Sequence, residues 1–208
     1  MKQGTLFVFS GPSGTGKDTV LQGLAAQNEK FMLSISATTR APRGTEKHGE
    51  EYYFLTVEEV EKLIAEDGLL EYAQYCGNYY GTPKAPIQKA LDEGIDVFLE
   101  IEVQGAMLVK ERFPDSVSIF MLPPSMSVLS HRLHKRQTDS EEVIQKRLNA
   151  AREEISHSPD YDYIIVNDVL EEAVEELKHI VHAERVRAYK MKETVTKALQ
   201  SEDGSFAD

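Results

Sequence analysis

Thr5-Leu-Phe-Val-Phe-Ser10-Gly11-Pro-Ser-Gly-Thr-Gly16-Lys17 is the stretch on which the fold turns. Thr5–Ser10 is short and nearly all apolar, as expected of a parallel strand buried on both faces. Six residues rich in glycine follow, and a helical pattern with Val20, Leu21 and Leu24 runs from Lys17 to about Gln27. A G-x-x-x-x-G-K spacing between a buried strand and a helix is a phosphate-binding loop. Its glycines let successive backbone N–H groups turn inward around an anion. The helix N-terminus adds partial positive charge, and Lys17 a full one. Gly11, Pro12, Ser13, Gly14, Thr15, Gly16 and Lys17 are therefore candidate phosphate ligands.

The residue after Lys17 departs from the usual pattern. A Ser or Thr hydroxyl for Mg²⁺ is expected there, but the chain has Asp18, then Thr19. A carboxylate ligates Mg²⁺ but also repels phosphate oxygens. Thr19 lies ~100° further round the helix. The metal ligand stays open between Asp18, Thr19 and water.

Beyond the loop, strand-like runs at Val97–Ile101, Ser116–Leu122 and Tyr161–Val166 alternate with helical patterns at Glu58–Ile64, Ile87–Leu91, Asp139–Ile155 and Asp168–Tyr189. Such alternation predicts an α/β fold with a parallel sheet. Residues 34–83, rich in Thr, Arg, Gly and Tyr, break the alternation as an inserted lobe. Residues 125–147, rich in basic residues and histidine, break it again. Segments 1–33, 84–124 and 148–208 then form the core of one domain. The tail Ser201–Asp208 is polar and small, a composition that frays.

In the lobe, Arg40 and Arg43 flank Pro42, which keeps the segment extended or turned. Two guanidinium forks on a stiff loop suit a terminal phosphate. Gly77-Asn-Tyr-Tyr-Gly81-Thr82-Pro83 is expected to bring phenol hydroxyls into a tight turn. Glu71 follows the apolar pair Leu69-Leu70.

Taken together, GPSGTGK, SATTRAPR, EYYF, GNYYGTP, QGA, the Arg-x-x-x-Arg of RLHKR and VND closely resemble guanylate kinase over about residues 5–185. The resemblance implies a P-loop parallel-sheet core, an inserted GMP-binding lobe and a short helical lid at 125–147. It implies ATP and GMP as substrates and Mg²⁺ as cofactor. By resemblance, Arg40, Arg43, Tyr52 and Tyr80 hold the GMP phosphate, and Ser36, Glu71, Thr82 and Glu102 read the guanine. Glu102 stands where the family usually has Asp, so it keeps the charge on a side chain longer by about 1.5 Å. Glu100, expected on the same strand face, also matches an acidic family position. Arg132, Arg136 and Arg147 would grip the transferring phosphoryl group with Lys17. Asn167, with Asp168, matches the adenine-side motif, so ATP would be held by residues 11–19 and Asn167. Gln137 replaces a glycine the family normally has before Thr138.

Chemistry supports Glu71 on its own account. Guanine presents adjacent N1–H and N2–H₂ donors, and one carboxylate accepts from both. Adenine turns a lone pair toward it, a mismatch worth discrimination of ~10⁴.

Composition bounds the rest. The chain has 208 residues, a formal net charge of −12, 41% hydrophobic and 28% charged residues. These values fit a folded globular domain. Its charge disfavours long nucleic acids, no run approaches the ~18 apolar residues of a membrane span, and Thr5–Ser10 follows the N-terminus without a secretory pattern. The single Cys76, most simply a packing residue, excludes an intramolecular disulfide and fits a reducing, cytoplasmic setting. His131, His134 and His157 do not have ligand spacing. Acids at 58–61, 141–142 and 171–176 are expected on outer helices, with Lys17 and the arginines gathered in one cleft. Oligomeric state is left open. Two rival readings have distinct signatures. Ribose 1,5-bisphosphate kinases share Asp after the loop lysine but lack the SATTRxPR and GNYYGTP lobe. Non-catalytic guanylate-kinase-like modules typically degrade the phosphate loop.

Overall fold

A computed structural model describes residues 3–75, 77–135 and 139–200. Five parallel strands form the central sheet: β1 (Leu6–Ser10) lies in the middle, between β7 (Asp96–Glu100) and β8 (Val117–Leu122). Strands β2 (Phe31–Leu33) and β9 (Tyr163–Val166) complete the two edges. In register, Phe7 stands opposite Phe98 on one side and Val117 on the other.

Alternation along β1 divides the core between the faces of the sheet. Phe7 and Phe9 point to α1 (Lys17–Ala26) and α7 (Leu170–Arg185), where they pack with Leu24, Val174 and Leu177. Leu6 and Val8 point the other way, to α3 (Lys84–Asp92) and α4 (Val103–Arg112), with Ile87, Ala106 and Val109. Phe7, Phe9, Phe98 and Phe120 are fully buried. Each such side chain contributes about 1.5–3 kcal/mol through burial.

The lobe has its own sheet, in the order β4 (Tyr53–Phe54), β3 (Ala37–Thr38), β6 (Asn78–Pro83), β5 (Leu69–Tyr75). Helix α2 (Val57–Ala65) covers it and begins with a capping box in which Thr56 and Glu59 exchange hydrogen bonds. The segment expected as a tight turn is instead strand β6, and the turn is confined to its start at Gly77. Antiparallel pairing holds it to β5 from Asn78 opposite Tyr75 to Pro83 opposite Leu69, with Tyr80 facing Ala73 and Gly81 facing Tyr72.

Helices α5 (Met126–Lys135) and α6 (Glu141–Ser156) form the basic insertion, joined by a small core of Leu129, Leu133, Ile144 and Leu148. α6 is continuous across residue 147, the expected border of the lid. α8 (Lys192–Gln200) closes the described chain. Helices α4 and α8 and strand β2 are additions to the elements read from the sequence, and α7 stops at Arg185 rather than Tyr189. No helix among the described residues is long and apolar enough to cross a membrane.

Candidate active site

The phosphate loop lies beyond the C-terminal end of β1, between the sheet and α1. Gly11 adopts φ 144°, and a Cβ there would lie 2.4 Å from the Met121 carbonyl oxygen, so only glycine fits. At Gly16 (φ 92°) a Cβ would lie 2.6 Å from the Asn167 side-chain amide. That space is used: Asn167 Nδ2 donates to the Thr15 carbonyl at 2.6 Å. Thr15 itself is buried, its hydroxyl donating to the Pro12 carbonyl at 2.8 Å. Thr15 and Asn167 thus shape the loop from behind, a job the motif reading did not anticipate for Asn167.

Lys17 Nζ donates to the Gly11 carbonyl at 2.7 Å and lies 3.8 Å from the Glu100 carboxylate. Burial lowers the Lys17 pKa, against the opposing pull of Glu100, Asp18, Glu154 and Glu102. Glu100 is pushed up to about 7, first by burial and then by a hydrogen bond with Asp18, while Lys17 acts in the other direction. Burial also raises Glu154, helped by the Glu102 charge. Glu102 is not on the strand with Glu100, because β7 ends at Glu100 and Glu102 occupies the N-cap position of α4 without a side-chain capping bond. The cleft beside Lys17 is therefore richer in acid than expected: carboxylates stand among the cations as well as on the outer helices.

This donor set suits a hard divalent cation. All four carboxylates offer oxygen only. Yet among the described residues no three His, Cys, Asp or Glu side chains are gathered tightly enough to cage a metal. That combination fits a Mg²⁺ held mainly by water and substrate phosphates. Asp18, in contact with Glu100, is the better placed of the two candidate ligands; both it and Thr19 are exposed on the first turn of α1.

Two arginines of α5 and α6 point toward this region, Arg147 onto the loop and Arg132 onto Asn167 behind it. Arg132 donates to the Asn167 carbonyl at 2.9 Å. Arg147 donates to the Ser13 hydroxyl at 3.1 Å and lies 3.5 Å from Asp139. Arg136 and Gln137 lie outside the described residues, as do Thr138, Cys76 and the tail at 201–208. His134 bonds Glu141 and the Ser130 carbonyl on the exposed side of α5, which matches a surface role.

In the lobe, Arg40 lies 5.3 Å from the centroid of the Tyr52 ring, and its charge is favoured first by Glu46 and then by the nearby Tyr80. The Tyr52 and Tyr80 rings meet edge to face at 6.3 Å. Both guanidinium nitrogens of Arg40 donate to Glu46, at 2.9 and 3.0 Å, and the Arg43 backbone N–H donates to the same carboxylate at 2.8 Å. Glu46 was not singled out by sequence; its place six residues after Arg40, in a run of mixed charge, carries no distinctive signal. The Arg43 side chain is exposed.

Glu71 accepts a hydrogen bond from the fully buried Thr82 hydroxyl at 2.5 Å. Burial raises the Glu71 pKa; Thr82 opposes this and the Glu102 charge adds to it. Gly105 in α4 packs beside the carboxylate, where a Cβ would stand at van der Waals contact, 3.4 Å from Glu71 Oε2. Ser36 is half-buried beside β3, its carbonyl accepting from the Tyr53 N–H at 2.8 Å. An anion-binding loop with two arginines above it thus shares the molecule with a lobe holding an arginine, two phenols and a buried carboxylate.

The sequence model described as guanylate kinase matches residues 3–184. The chain belongs to the guanylate kinase family. The guanylate kinase of Desulfitobacterium hafniense is 53% identical over 184 residues, spanning 88% of this chain and 92% of that one. That of Caldanaerobacter subterraneus is 48% identical over 196 residues, spanning 94% and 95%. A crystal structure of guanylate kinase from Anaplasma phagocytophilum superposes with a TM-score of 0.69 at 34% identity, covering 90% of this chain and 89% of that one.

Proposed function

We propose that the chain catalyses ATP + GMP ⇌ ADP + GDP by direct in-line phosphoryl transfer. The observation that carries this reading is the buried Glu71–Thr82 pair, a carboxylate fixed at 2.5 Å from its hydroxyl in the lobe that also holds Arg40, Tyr52 and Tyr80. Glu71 accepts from guanine N1–H and N2–H₂, with Thr82, Ser36 and Glu102 completing the base site. Arg40, Arg43, Tyr52 and Tyr80 hold the GMP phosphate, whose oxygen is the nucleophile.

ATP phosphates lie in residues 11–19, with Asn167 bracing the loop. Lys17 neutralises the β- and γ-phosphates, and Arg132, Arg136 and Arg147 surround the transferring group as the lid closes. The attacking phosphate oxygen is already anionic, so no general base is needed. Catalysis rests on alignment and charge neutralisation. Asp18 would help to hold a Mg²⁺ ion, which would supply further neutralisation of the ATP phosphates when bound. Water exclusion by the lid protects ATP from hydrolysis.

Steady-state turnover with GMP, AMP and ribose 1,5-bisphosphate across a Mg²⁺ titration tests this. GMP is expected to be the fastest acceptor, with no turnover when the metal is chelated. Faster phosphorylation of ribose 1,5-bisphosphate overturns the proposal.

A further inference from the structure

Helix α4 touches the guanine-reading strand at both of its ends. At its first turn, Gly105 lies against the Glu71 carboxylate. At its last residue, Arg112 reaches β5 with two donated hydrogen bonds, to the Leu69 carbonyl at 3.2 Å and the Leu70 carbonyl at 3.0 Å. These carbonyls immediately precede Glu71. They also coincide with a break in the ladder, because the β5–β6 register shifts between Leu69 and Tyr72. A bulge there takes carbonyls out of regular pairing and re-aims a side chain. Arg112 supplies the donors that the irregular stretch needs.

The second guanidinium nitrogen of Arg112 pairs with Asp67, which also pairs with Lys84. Asp67 ends the turn after α2 and Lys84 opens α3, so the three charges bracket the β5–β6 hairpin where it joins the core. Asp67 has φ 52°, one of two positive-φ non-glycine residues among the described residues. An aspartate in this region is mildly strained and persists where its surroundings hold it.

We propose that Arg112 is a positioning residue for guanine selectivity: it fixes the bulged Leu69–Leu70 backbone and, through it, the aim of Glu71. This rests on Glu71 reading guanine. Among the described residues the Arg112 guanidinium bonds Leu69, Leu70 and Asp67, none of them assigned to either nucleotide, so it acts through the strand. Arginine suits the task because one planar fork serves two adjacent carbonyls and a carboxylate together.

Kinetics of Arg112→Met, Glu71→Gln and the double variant, with GMP and AMP as acceptors, test it. Arg112→Met is expected to raise KM for GMP about tenfold and to narrow the GMP/AMP ratio of kcat/KM, with KM for ATP within about twofold of the parent. In the Glu71→Gln background the same change should alter that ratio less than about twofold, as for two residues serving one contact. A merely structural role would lower the active fraction without moving selectivity. If Arg112→Met does not fold, Arg112→Lys is judged by the same criterion, since it keeps the charge and loses the fork. Effects of Arg112 and Glu71 that multiply independently, or an unchanged GMP/AMP ratio in the Arg112 variant, overturn the positioning role while the base-reading role of Glu71 stands. A Glu71→Gln variant with unchanged selectivity removes both.

Discussion

The Lys17 ammonium is shared between the Gly11 carbonyl at 2.7 Å and the Glu100 carboxylate at 3.8 Å. It is thus held within the loop that the ATP phosphates are proposed to enter, by one neutral and one titrating partner. Lys17→Met removes the cation while keeping most of the stem. It is expected to cut kcat by about 10²–10³ and leave the Kd for GMP within about twofold, because the residues proposed to hold GMP, Glu102 apart, belong to the lobe. Single-turnover kinetics and GMP titration measure the two. Near-parental kcat in this variant contradicts the role given to Lys17.

Glu71 makes a prediction with two opposite signs. Burial holds its carboxyl above the usual range, so the folded protein binds this proton more readily than the unfolded chain. Guanine, with two donors, needs the carboxylate. KM for GMP should therefore rise as pH falls through the raised value, and the Glu71→Gln variant should lose that dependence along with its preference over AMP. Stability runs the other way. Ionising Glu71 weakens the fold as pH climbs above the ordinary carboxyl value near ~4.3. Glu71→Gln should thus gain stability over the parent as pH rises from acid to neutral, and the gain should vanish in acid. Calorimetry across pH checks the sign.

How much of this was legible beforehand follows from which residues carry their own signal. The strand Leu6–Ser10, the glycines at 11 and 16 and Lys17 declare themselves, because a buried strand, a backbone cradle and a helix start have separate local patterns. Arg40, Tyr52, Tyr80, Glu71 and Thr82 were named from motifs, and the fold brings the first three together and pairs the last two. Less visible were the two-residue strands at Ala37–Thr38 and Tyr53–Phe54, which owe their conformation to their partners. Helix α4 hid behind Gly105, a poor helix former inside its first turn. Glu46, Asp139 and Glu154 escaped because their significance lies in which cation they face, and sequence spacing does not record that.

Glu46 gives a third test. Its carboxylate takes both Arg40 nitrogens and the Arg43 backbone N–H, so it fixes the loop on which the GMP phosphate would land. Glu46→Gln keeps the shape but cannot accept the full fork. KM for GMP is expected to rise about tenfold, with kcat at saturation within about threefold. A variant with an unchanged KM would show that Tyr52 and Tyr80 alone hold Arg40 in place.

Arg147 supplies the sharpest separation between binding and chemistry. It bonds the Ser13 hydroxyl across 134 residues of sequence and leans on Asp139, so α6 already reaches the phosphate loop. In the proposed reaction it serves charge that develops only during transfer. Arg147→Ala should therefore lower kcat by about 10³ or more, while KM for ATP and GMP moves only a few fold. Arg147→Lys should recover only part of kcat, because an ammonium carries the charge without the planar pair of donors. Asp139→Asn should free Arg147 from its charged partner, leaving the Ser13 contact and the arginine's charge intact, and is expected to change kcat by less than about threefold. If instead Arg147→Ala raised both KM values and spared kcat, Arg147 would be a ground-state clamp on the phosphates and not a transition-state donor.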